Sequence, residues 1–166
     1  RASRGAFQTA HDGRSWVMAL DGLNVAEPAG NGLSQRAKEY ENHERRRLVY
    51  VAATRGNCIW RGPFMPDGTV AKAGVFIQMS GGHGPDGLAM DEAGNLVVAH
   101  VGLGSVWLFS PAGEPLLRIL SCKGRKITNV AYGGPDRKTL FITEAESGCI
   151  LSTRMDVTGR VLYGHM

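Results

Sequence analysis

Short runs in which apolar and polar residues alternate recur along the chain and predict a protein built almost entirely from β-strands. Residues 96–100 and 140–144 share one apolar spacing and lie 44 positions apart, and residues 48–52 form an earlier copy. In each copy a Gly-rich turn, a second strand and a Pro/Asp/Gly turn follow in the same order. A period of this length predicts the four-stranded blades of a β-propeller, because each blade must bury its faces against its neighbours.

The repeat predicts one partial propeller domain over residues 1–166, with about three and a half blades and boundaries near residues 28, 80 and 124. Residues 7–20 repeat the spacing of residues 107–120, so they are predicted to form the outer half of a preceding blade. Closed propellers have at least four blades. We therefore expect either that the chain belongs to a longer propeller or that two copies close the ring as a homodimer.

The composition supports a turn-rich all-β protein, since the chain has 23 glycines and lacks long helical patterns. Residues 34–47 form a charged insertion that is predicted to be an exposed loop or a short surface helix. The net charge is +4, but acidic residues interrupt the densest basic cluster, so no nucleic-acid partner is expected. No apolar run approaches the roughly 20 residues that cross a bilayer, so no membrane partner is expected. A cytoplasmic protein is the working hypothesis, and secretion stays open because the first residue can be an internal cut.

Asp86 is the candidate functional residue that the pattern singles out. It lies between Pro85 and Gly87, where the backbone turns sharply, and directly before an alternating apolar run. Its side chain is therefore predicted to project from the mouth of a strand, where a carboxylate can bind a cation. An ordinary Asp-Gly turn is the alternative interpretation of the same residues.

Three motifs together resemble a known family. They are a Pro-Asp-Gly turn followed by Asp-x-x-Gly-Asn-Leu within residues 84–119, an Asn-Val-Ala-Tyr-Gly-Gly-Pro run within residues 128–136, and the strand at residues 140–144. The combination resembles the C-terminal half of the SMP-30/gluconolactonase/LRE family of six-bladed propellers, from about residue 21 onward. The resemblance implies an all-β fold that forms part of a six-bladed ring.

The resemblance also implies a metal-dependent hydrolase that opens a sugar-like lactone. In that family one divalent cation is held by a Glu, two Asn and an Asp. The Asp matches Asp86, and one Asn matches Asn31 in the sequence Asn-Gly-Leu, which the charged insertion follows. The other two ligands belong to an N-terminal half that this sequence does not contain. Oxygen ligands favour calcium, with Mg²⁺, Mn²⁺ or Zn²⁺ as alternatives.

The chemistry that these residues suggest is general base catalysis beside a Lewis acid. The cation would polarise the lactone carbonyl, and Asp86 would bind the cation and take a proton from the attacking water. Residues at the inner mouths of the first strands of each blade are candidates for binding the substrate. These candidates are His83, His100, Thr128 and Asn129.

Three of the four substrate candidates also have a structural interpretation. His83 can be a solvated loop histidine, His100 a hydrogen-bonded structural residue at a strand end, and Asn129 the cap of a strand start. Two other functions stay open for the whole chain. One is a strictosidine-synthase-like propeller enzyme, and the other is a non-catalytic propeller fragment that serves as a binding or assembly module.

Overall fold

The computed structural model of the chain describes residues 9–11, 14–20, 48–65, 67 and 69–161, with the backbone alone for the first two ranges. The strands in this part of the chain are β1 (Thr9–His11), β2 (Arg14–Leu20), β3 (Leu48–Ala53), β4 (Cys58–Pro63), β5 (Gly74–Gln78), β6 (Gly84–Met90), β7 (Leu96–Val101), β8 (Ser105–Phe109), β9 (Pro115–Leu120), β10 (Ile127–Gly133), β11 (Thr139–Glu144) and β12 (Cys149–Arg154). One 3-10 turn at Thr54–Gly56 joins β3 to β4. Among these residues there is no helix with the length and apolar character needed to span a membrane.

The strands form three sheets in which neighbours along the chain are also neighbours in space. Sheet 1 has the order β1-β2-β3-β4-β5, sheet 2 the order β6-β7-β8-β9, and sheet 3 the order β10-β11-β12. Every paired strand is antiparallel to its neighbour. This up-and-down order is the arrangement of propeller blades. The all-β fold with blade-like sheets is therefore confirmed.

Strand β2 lies in sheet 1, where Trp16 is opposite Ala53 and Leu20 is opposite Val49 of β3. This pairing differs from the expectation that residues 7–20 belong to a preceding blade, because no sheet boundary near residue 28 separates β2 from β3. The physical reason is the position of β3, which has buried residues and needs hydrogen-bond partners on both edges. Strand β4 covers one edge and β2 covers the other. Residues 21–47, including the charged insertion, lie outside the described residues.

Strand β7 lies in the middle of the stacked sheets and is buried on both faces. Leu96 and Val98 pack in a cluster with sheet 1, whereas Val97 and Ala99 pack in a second cluster with sheet 3. Successive side chains of a strand point to opposite faces, so a strand with sheets on both sides is apolar throughout. The middle sheet thus fixes the positions of the two sheets that flank it.

The chain after β12 runs back to sheet 2. The backbone N–H of Glu92 donates to the carbonyl oxygen of Thr158 at 2.9 Å, and the N–H of Arg160 donates to that of Met90 at 2.9 Å. These bonds join sheets 2 and 3 at the end of β6. The start of β6 lies at the opposite end of this strand, away from these bonds.

Candidate functional site

The first strands of sheets 2 and 3 each contain a β-bulge at the same end. In β6, Pro85 is opposite His100 and Leu88 is opposite Val98, so both Asp86 and Gly87 face the single residue Ala99. A bulge inserts extra backbone into one strand, bends it and redirects the side chains beside it. The Asp86 side chain therefore leaves the regular alternation of the sheet.

The bulge in β10 lies between two consecutive pairs of its ladder. Ile127 is opposite Glu144 and Asn129 is opposite Thr143, which leaves Thr128 as the extra residue. Thr128 thus lies at the start of β10 as Asp86 lies at the start of β6. The structure brings the predicted residues Asp86, Thr128 and Asn129 to one end of two adjacent sheets.

Two glycines let the neighbouring sheets approach the start of β6 closely. Gly84 has a φ of +121°, and a Cβ atom there would overlap the carbonyl oxygen of Thr54 in the turn between β3 and β4. A Cβ atom at Gly87 would overlap the side-chain oxygen of Asn129 in sheet 3. Asp86 lies between these two contacts along the chain. Its backbone is consequently wedged between both neighbouring sheets.

The carboxylate of Asp86 is half-buried at the start of β6. Within the described ranges it forms no hydrogen bond or ion pair. Burial raises the pKa of Asp86, because removal from water disfavours the charged form. Such a group gains most from a cation that restores the interactions lost with water.

The chemistry of this donor fits a hard divalent cation, which prefers carboxylate oxygens. The part of the chain that the structure describes contains no group of three or more His, Cys, Asp or Glu side chains able to hold a metal ion. Asp86 would therefore supply one ligand of a larger set. The predicted ligand Asn31 lies outside the described residues, and its role stays a prediction.

Polar side chains from β10 and β11 line the strand ends beside Asp86. The hydroxyl groups of Thr128 and Thr143 hydrogen-bond to each other at 2.9 Å. The side-chain oxygen of Asn129 accepts a hydrogen bond from the N–H of Val130 at 2.9 Å, as expected for a cap of the strand start. Its amide nitrogen has no partner among the residues with described side chains. Contact of Thr128 and Asn129 with a substrate stays a prediction.

The two predicted histidines occupy different environments. The side chain of His83 is exposed on the loop before β6, and its backbone N–H donates to the carbonyl oxygen of Val101 at 2.7 Å. His100 is only 1% exposed, and its Nε2 lies 3.0 Å from the carbonyl oxygen of Gly81. Burial lowers the pKa of His100 and favours the neutral ring. Substrate binding by His83 and by His100 stays a prediction.

Sequence reasoning missed two polar residues at this end of sheet 3. Thr143 bonds Thr128, and Glu144 is only 1% exposed at the end of β11. Glu144 accepts hydrogen bonds from the hydroxyl of Ser147, from the N–H of Ser147 at 2.8 Å and from the N–H of Glu146 at 2.6 Å. The Glu-x-x-Ser spacing at a strand end was the available signal, because a carboxylate can cap the turn that follows.

We expect the capping role of Glu144 to give a distinct pH dependence of stability. Its hydrogen bonds, first that from the Ser147 hydroxyl, lower the pKa from 4.5 to about 2. The stabilisation is thus present above pH 4.5 and is lost as the pH falls toward 2. Glu144→Gln should lower the Tm at pH 7, and the difference from wild type should shrink across this acid range. Thermal melts between pH 7 and 2 measure this difference in Tm, with Glu146→Gln as a control for the lost charge. A difference in Tm that does not change with pH would contradict the prediction.

The fold and this site define a β-propeller with a half-buried carboxylate at the start of the first strand of a sheet. The sequence of residues 42–146, more than half of the chain, matches the SMP-30/Gluconolactonase/LRE-like region. The chain therefore belongs to this family, and the resemblance inferred from its motifs is confirmed.

Comparison with individual proteins supports the same assignment. The chain is 33% identical to 6-deoxy-6-sulfogluconolactonase of Pseudomonas putida over 69% of this chain and 44% of that protein. It is 29% identical to diisopropyl-fluorophosphatase of Loligo vulgaris over 80% of this chain and 42% of that protein. The calcium-binding protein regucalcin of Agrobacterium tumefaciens strain C58 superimposes with a TM-score of 0.60 and 28% identity, over 68% of this chain and 43% of that chain. The chain thus spans less than half the length of these relatives.

Proposed function

We propose that the protein containing this chain hydrolyses a sugar-like lactone in a metal-dependent reaction, with Asp86 as a metal ligand and as the general base. The observation that carries the proposal is the half-buried carboxylate of Asp86 on the bulge at the start of β6, which has no hydrogen-bond or ion-pair partner among the described residues. Membership of a family with named lactonases supports the reaction class. Regucalcin is described as calcium-binding, which supports calcium as the first choice of ion, before Mg²⁺, Mn²⁺ or Zn²⁺.

The chemistry requires a base next to the attacking water. When bound, the cation supplies positive charge that stabilises the developing negative charge of the lactone carbonyl oxygen. Asp86 orients a water molecule and accepts its proton as the water oxygen bonds to the carbonyl carbon. The ring C–O bond then breaks, the ring oxygen takes up the proton, and a hydroxy acid leaves.

Polar groups beside Asp86 suit a small substrate with several hydroxyl groups. Thr128, Asn129 and Thr143 present hydroxyl and amide groups at the same strand ends, and His83 is exposed on the adjacent loop. Hydroxyl and amide groups both donate and accept hydrogen bonds, so they match the mixed character of a sugar hydroxyl. These residues are the proposed substrate-binding side of the site.

Phosphofluoridate hydrolysis is a second candidate. The specific observation in its favour is the 29% identity to diisopropyl-fluorophosphatase over 80% of the chain. A bound divalent cation can polarise a phosphoryl oxygen as well as a carbonyl oxygen. Rates on gluconolactone and on diisopropyl fluorophosphate, measured with one preparation, would separate the two candidates.

Metal removal tests the proposed reaction. The full-length protein should open gluconolactone faster than the spontaneous reaction, as followed by acid release with a pH indicator. Chelation should reduce the rate to the spontaneous value, and added Ca²⁺ should restore it, because the carbonyl loses its charge stabilisation without the ion. Circular dichroism before and after chelation controls for unfolding. Opening that is unchanged by complete metal removal would contradict the proposal, and calcium binding without opening would favour the binding module.

A further inference from the structure

The carbonyl oxygen of Gly81 accepts hydrogen bonds from side chains of two different sheets. The side-chain N–H of Asn57, in the turn between β3 and β4 of sheet 1, donates to it at 2.9 Å. Nε2 of His100, at the end of β7 in sheet 2, lies 3.0 Å from the same oxygen. The loop that leads into β6 is thus attached to both sheets through one atom.

The partner of His100 defines the form of its ring. A carbonyl oxygen can only accept, so Nε2 carries the proton in this hydrogen bond. Nδ1 is buried and has no partner within the described part of the chain. A proton on Nδ1 would be a buried donor without an acceptor, which is unfavourable. The geometry therefore indicates a neutral imidazole protonated on Nε2.

The segment held by this carbonyl is rich in glycines with positive φ. Gly81, Gly82 and Gly84 have φ values of +73°, +61° and +121°, and glycine has the widest choice of backbone conformations. The next residues are buried Pro85 and then Asp86 on the bulge. Two hydrogen bonds that fix Gly81 thus restrict the path of the backbone just before the carboxylate.

We propose that His100 and Asn57 are positioning residues for Asp86, which act by holding the carbonyl oxygen of Gly81. This role rests on the proposed function of Asp86. It differs from substrate contact, because both side chains act through the loop. Misplacement of a reacting group by about 1 Å can cost on the order of 100-fold in rate. The effect should therefore fall on kcat.

Two substitutions at His100 separate the effect of the lost hydrogen-bond donor from the effect of altered packing. His100→Leu removes the donor, whereas His100→Gln retains an N–H the same number of bonds from Cβ. We expect kcat for gluconolactone to fall about 10- to 100-fold in His100→Leu, with KM within about twofold, and His100→Gln to recover most of the loss. Trp107→Phe changes the same interface between sheets 1 and 2 without touching Gly81, and serves as the repacking control.

A double-mutant cycle tests whether His100 and Asn57 act through the same atom. Once His100→Leu has released Gly81, Asn57→Gly should add much less than its effect in the wild type, since glycine removes the donor and suits the left-handed backbone (φ +49°) of this position. Fully additive effects would contradict a shared role. A rise in KM with unchanged kcat would assign His100 to substrate contact instead and would overturn the proposal.

The tautomer of His100 can be measured without an activity assay. Selective ¹⁵N labelling of histidine should show the Nε2-protonated neutral tautomer, identified by the signal that disappears in His100→Gln. Amide exchange at His83, whose N–H bonds Val101, should accelerate in His100→Leu because the loop is released. If the wild type opens no lactone, the proposed function fails. The tautomer of His100 and the amide exchange at His83 still show whether His100 holds the loop before β6. An Nδ1-protonated ring, or unchanged exchange at His83, would overturn the inference.

Discussion

Replacing Asp86 by Asn should reduce lactone opening on the order of 10² to 10⁴-fold, because the variant loses the general base. The side chain keeps its size and one oxygen, so the bulge at the start of β6 should persist. Since the carboxylate is half-buried and has no partner in the part of the chain that the structure describes, the metal-free variant should be at least as stable as the metal-free wild type. Added Ca²⁺ should raise the Tm of the wild type and leave that of Asp86→Asn nearly unchanged.

The chain offers a matched control for this substitution. Asp136 also follows a proline, but it is exposed and pairs with Arg154 away from β6. Asp136→Asn should therefore retain both activity and the rise of Tm with calcium. Rates within about twofold of each other for wild type and Asp86→Asn would remove the proposed role of this residue.

The strands and Asp86 could be predicted from sequence because their signals are local. The apolar run of β7 and its copy in β11 follow from the repeat, and Asp86 stands out between Pro85 and Gly87. Each of these features depends on residues only a few positions apart. Local patterns therefore place the carboxylate at the mouth of a strand.

The geometry around Asp86 could not be predicted, because it depends on contacts between sheets. The bulge is a register shift between β6 and β7, and register is set by how both faces pack. The hydrogen bond from Asn57 to Gly81 joins residues 24 positions apart, and no sequence motif predicts it. The pairing of β2 with β3 likewise depends on which strand fills an open edge. Repeats predict the blades, whereas the site depends on how the blades meet.

Four glycine-to-alanine substitutions should separate two requirements for glycine at the start of β6, the positive φ and the close approach of a neighbouring sheet. Gly84 combines a φ of +121° with an overlap on Thr54, so Gly84→Ala should lower the free energy of unfolding by about 3 kcal/mol. Gly87 has only the overlap, with Asn129, and Gly87→Ala should lower it by about 2 kcal/mol. Both overlaps involve groups that cannot move without shifting a neighbouring sheet.

The other two glycines serve as controls, one with the positive φ alone and one with neither feature. Gly148 has a φ of +65° and no heavy atom of the described residues within 4 Å, so Gly148→Ala should cost only about 1 kcal/mol. Gly74 has neither feature, and Gly74→Ala should stay within about 0.5 kcal/mol of the wild type. Urea denaturation gives all four values from the midpoint and the slope. Equal stabilities of Gly84→Ala and Gly74→Ala would show that the sheets do not wedge β6 in place. Gly87→Ala should also reduce lactone opening, because the displaced bulge carries Asp86.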